Sequence, residues 1–76
     1  MVQLKDVLAK LEGALADAVK RKAPANISEP LGSAKTFLSA VIAAGALARD
    51  QFGPMAFEQA LENARTSLGG YQGWAA

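Results

Sequence analysis

The 76-residue chain contains neither cysteine nor histidine. Without cysteine there is no disulfide, no thiolate metal site and no thiol nucleophile. Without histidine the commonest general base and metal ligand are missing. Excess charge of either sign is also lacking: eight basic and seven acidic residues leave a net charge of +1. That balance supplies no bulk attraction to nucleic acid or to an anionic membrane. Long apolar runs are scarce. The most apolar one, Phe37 to Ala48, covers 12 residues, and a bilayer crossing needs roughly 17–25. The N-terminal stretch carries Asp6 and Glu12, unlike a secretory signal or an acid-poor transit peptide. The expectation is a soluble cytoplasmic protein, in the host cytoplasm if the chain is phage-encoded.

What the chain does contain is alanine, leucine and helical spacing. Residues 1–76 are read as a single domain, all-α, with three helices. Helix 1 is expected over about 2–22. Leu4, Leu8, Leu11, Leu15 and Ala18 step by four and three along one stripe. Asp6 with Lys10 and Asp17 with Arg21 stand as acid-before-base pairs one turn apart. Gly13 lies opposite the leucines, where either its helix cost of about 1 kcal/mol is borne or another backbone approaches closely. The connection from Ala23 to Gly32 holds Pro24 and Pro30, which resist helix. Ser28 and Ser33 are alternative N-caps for the second helix. Helix 2 is expected over 33–51, stopping at Gly53-Pro54. Helix 3 is expected over 54–68, with Phe57, Ala60, Leu61, Ala64 and Leu68 inward. Gly69-Gly70 is expected to end it and free a short tail holding Tyr71 and Trp74.

Helix 2 is the most informative segment, because it reads as apolar on two sides. Phe37, Leu38, Val41, Ile42 and Phe52 form a stripe of large groups, while Thr36, Ala40, Ala43, Leu47 and Asp50 form a second, mostly small one. A surface helix needs only one apolar stripe. Either helices 1 and 3 sandwich helix 2 in a closed monomer, or both lie on the large-residue side and leave the Ala40–Ala43–Leu47 side open. An open, alanine-lined face suits close approach of a second helix across a two-fold axis.

Candidate chemistry is thin. Lys20-Arg21-Lys22 is the one charge run, and cations in a last helical turn are what the helix dipole favours. Glu58 and Glu62 lie a turn apart, but Arg65 shares their face and no histidine completes a metal site. Ser33 lies near Lys35 with diverging side chains, so it does not read as an activated nucleophile. Phosphopantetheine carrier domains are of similar size and carry the arm on a serine opening their second helix. Gly32-Ser33-Ala34 lacks the flanking acidic residue and leucine of that motif, and helix 2 is not acidic.

The sequence therefore reads as non-enzymatic, with no catalytic residue, metal or cofactor expected. The leading expectation is a small helical assembly protein forming a homo-oligomer through helix 2, its most specific form being a structural subunit of a particle or filament. The alternative is a compact adaptor or inhibitor, for example phage-encoded, binding one host protein through the helix 2 stripe and Tyr71 and Trp74. The interface residues are Thr36, Ala40, Ala43, Leu47, Tyr71 and Trp74. The tail aromatics either fold back to seal their own bundle or insert into a neighbour. Nucleic-acid binding and a membrane span are not expected.

Overall fold

A computed structural model describes residues 4–76, so the expected start of helix 1 at Val2 lies outside the described residues. The fold is all-α: α1 (Leu4–Lys20), α2 (Ala25–Ala44), a 3-10 turn (Gly45–Leu47), α3 (Ala48–Phe52) and α4 (Ala56–Ala75). The three long helices pack on one another, with α2 and α4 in the most extensive contact.

The core explains that closeness. Among the described residues, the buried apolar side chains are Leu11, Leu31, Leu38 and Val41 plus seven alanines. On α4 the buried positions are Ala56, Ala60, Ala64 and Ser67, all small. A helix that presents only methyl-sized groups lets its neighbour's leucines reach the backbone. Phe57, Leu61 and Leu68, expected to point inward, flank that seam half-buried. With four large side chains fully enclosed, the domain has little core for its length.

Helix α1 ends in a Schellman motif built without glycine. Lys22 takes the left-handed conformation at φ 58°. The Ala23 amide donates to the Ala18 carbonyl at 2.8 Å, and the Lys22 amide to Val19 at 3.1 Å. Of the two alternatives at Gly13, no close approach is found: a Cβ there would meet nothing within 4 Å. Gly13 simply bears its helix cost.

Three helix boundaries differ from expectation, each for a packing reason. First, α2 begins at Ala25, not Ser33, with Pro24 as N-cap and no side-chain cap. Neither Ser28 nor Ser33 caps it, and Pro30 lies inside the helix. Ile27, Leu31, Ala34, Leu38 and Val41 continue a single stripe, and Leu31 is fully buried. Its burial outweighs the one backbone hydrogen bond Pro30 forfeits.

Second, the expected helix 33–51 is not one rod. Gly45 adopts φ 56° and ψ −121° and closes α2, its amide donating to the Val41 and Ile42 carbonyls. In a straight helix the Cα atoms of Phe37 and Phe52 would lie about 22 Å apart. Their rings instead meet edge-on with centroids 5.6 Å apart. The chain therefore turns at Gly45, and Ala48 of α3 is driven into the core at 0% exposure. The segment from Ala25 to Phe52 is long and apolar enough to cross a membrane by length and composition, its most apolar 18-residue window having a mean hydropathy of 1.5. That exceeds the 12-residue run read from the sequence. An apolar core helix has the same composition; here the segment is bent, and Leu31, Ala34, Leu38 and Val41 face the core.

Third, α4 runs through Gly69, Gly70 and Gly73 to Ala75. Ala60, Ala64, Ser67, Tyr71 and Trp74 continue its inner stripe, and the two aromatics find partners in Asp17 of α1 and in Arg21 just beyond its end. Those contacts hold the glycines in helix against their backbone entropy.

Candidate interaction surface

The outer side of α2 carries the residues expected at an interface. Thr36 and Ala43 are exposed and Ala40 is half-buried. Leu47, displaced into the 3-10 turn, is 57% exposed. The second stripe is thus split: Thr36, Ala40 and Ala43 stay on the rod, while Leu47 and Asp50 leave it at Gly45. Neither α1 nor α4 encloses these positions.

Phe52 returns from α3 to flank this face. Together with Gly32, Ser33, Thr36, Phe37 and Ala40 it lines a groove of about 620 Å³. A neighbouring recess of about 420 Å³ shares Ser33 and Phe37 and is closed on its far side by Asn63, Thr66 and Ser67 of α4. The groove walls carry two hydroxyls and no ionisable side chain. Such a surface offers apolar contact and a few hydrogen bonds, and nothing in it activates a nucleophile. Beside it, Phe52 is 41% exposed and Met55 is 61% exposed. Their exposure is not legible in the sequence, because a straight helix 2 would have turned Phe52 inward.

Compared with known proteins, the chain matches no family model, no curated protein and no solved structure.

The tail aromatics are engaged within the chain. The Tyr71 hydroxyl donates to the Asp17 carboxylate, 54 residues away in sequence. Arg21 donates to the same oxygen at 3.1 Å and places its guanidinium over the Trp74 ring, 4.9 Å from the centroid. The Tyr71 and Trp74 rings lie 6.2 Å apart. The hydrogen bond from Tyr71, then that from Arg21, hold the Asp17 carboxyl below its usual range, and the same Tyr71–Asp17 bond raises the phenol. The tail therefore folds back on its own bundle. One cation of the Lys20-Arg21-Lys22 run belongs to this cluster, and Lys22 forms the helix C-terminus.

The remaining chemical candidates stand apart from the groove. Glu58 and Glu62 are exposed on α4, and Arg65 reaches Glu62 at 4.0 Å. Ser33 lies on the groove wall with no base beside it in the lining.

Proposed function

We propose that this protein is a non-enzymatic helical assembly module that self-associates through the outer face of α2. Thr36, Ala40, Ala43 and Leu47 form its contact surface. What supports the reading most is one observation. The α2 face and the adjoining 3-10 turn present Ala43 and a 57% exposed Leu47 beside a groove without ionisable walls. Apolar surface of this kind, uncovered by its own chain, is what protein contacts bury. The small core adds to the case, since a short domain gains stability when a second copy covers its open side.

A two-fold contact through this face closes as a dimer, and a second, different contact would extend it to a filament or particle. Light scattering of the purified protein over a concentration series separates these outcomes. A mass of two chains fits the closed form, a growing mass fits the structural subunit, and a single-chain mass throughout removes the proposal.

A further inference from the structure

Helix α4 divides into two stretches of unlike character. Its buried residues are Ala56, Ala60, Ala64 and Ser67. Beyond Ser67 every residue is half-buried or exposed, and the stretch carries Gly69, Gly70 and Gly73. A Cβ at any of these glycines would meet nothing within 4 Å, so no close packing calls for glycine there and each one weakens the helix. The last turn also has no basic residue of its own to meet the helix dipole. Besides the half-buried packing of Leu68 and Tyr71 against the core, what holds this stretch converges on Asp17 and Arg21. Tyr71 donates to Asp17, Trp74 lies under Arg21, and Arg21 itself donates to Asp17. Contacts that share members strengthen one another and are lost together. A helix end that merely frays loses its residues one after another, whereas a weak stretch tied at one point opens as a unit.

We infer that residues 69–75 are a latch, a cooperative unit hinged at Gly69-Gly70 that opens while the rest of the bundle stays folded. Closed, it seals the end of the seam between α1 and α4. Open, it presents Tyr71 and Trp74, side-chain types that dominate protein contacts, and uncovers Asp17 and Arg21. The latch gives the chain a second state without any change at α2, and it stands whether or not the α2 face self-associates.

Native-state hydrogen exchange followed by NMR tests it, with the amides of Ala60 and Ala64 as the internal reference. The amides from Tyr71 to Ala75 are expected to share one opening constant, roughly tenfold or more above that of Ala60 and Ala64. Asp17→Ala removes the acceptor on which the contacts converge. It should raise the opening of the tail roughly tenfold and leave Ala60 and Ala64 as in wild type. Gly70→Ala should act in the opposite direction, lowering the opening of the tail about fivefold, because alanine fits the open space and favours helix. A smooth gradient of exchange toward Ala76 that Asp17→Ala leaves unmoved would mean simple fraying and overturn the latch. Tail amides that exchange only together with Ala60 and Ala64 would overturn it as well, since the tail would then open only with the whole fold.

Discussion

The ring of Phe52 meets that of Phe37 edge-on, 5.6 Å between centroids, although 15 residues separate them in sequence. That contact requires the chain to leave its helical path, and Gly45 is where it does so, at φ 56°. A side chain at this φ is strained whatever space surrounds it.

Gly45→Ala is accordingly expected to destabilise the fold by roughly 1–2 kcal/mol. Gly13→Ala is expected to do the opposite. Gly13 sits mid-helix with open space around it, and alanine there should add about 0.5–1 kcal/mol. Urea unfolding of both variants checks the pair; equal effects of the same sign would contradict the turn at Gly45.

The Tyr71–Asp17 bond gives the end of α4 a defined pH response. Asp17 is depressed chiefly by Tyr71, then by Arg21, with Lys20 adding a smaller attraction. Its contribution is therefore present above the ordinary carboxylate value of about 3.9 and is lost as pH falls through the lower folded value. Tyr71, raised in turn, contributes below about 10 and loses its contribution as pH rises through its higher folded value. Between those limits the clasp is constant. Trp74 emission, with Arg21 against its ring, should shift on acidification below about pH 4 in wild type. In Tyr71→Phe the transition should move upward toward the ordinary carboxylate range. Superimposable acid titrations of the two proteins would contradict the clasp.

Leu38 is fully buried in a core with few large side chains. Leu38→Ala is expected to cost about 2–5 kcal/mol, much of the stability a domain of this size has. Far-ultraviolet circular dichroism should show a melt far below that of wild type, or no cooperative melt. A change of only a degree or two would place Leu38 outside the core.

Much of the architecture was legible in periodicity. The leucine stripe of α1 and the inward stripe Ala34–Leu38–Val41 follow from steps of three and four, which bury one face whatever the rest of the chain does. Punctuation misled where packing was stronger. Pro30 and the Gly69-Gly70 pair read as breaks, yet Ile27 and Leu31 carry a stripe across the first, and Tyr71 and Trp74 extend one beyond the second. The turn at Gly45 was hidden for the opposite reason: a lone glycine among good helix formers gives no local sign that Phe52 has a partner on Phe37. Residues of the outer α2 face were readable because an apolar surplus is visible in sequence. The groove beside it was not, since its wall depends on where α3 returns. The Asp17–Arg21 pair was foreseeable one turn apart, whereas its link to Tyr71 spans the whole fold.

Sedimentation velocity of wild type and Ala43→Glu, matched for helix content over the same concentration range, weighs the self-association claim most directly. Ala43 is exposed on α2, so glutamate there should fold while placing a charge in the middle of the contact. The account predicts wild-type mass above that of one chain at micromolar concentration and a single-chain mass for Ala43→Glu. A folded Ala43→Glu whose mass equals that of wild type at every concentration would contradict it.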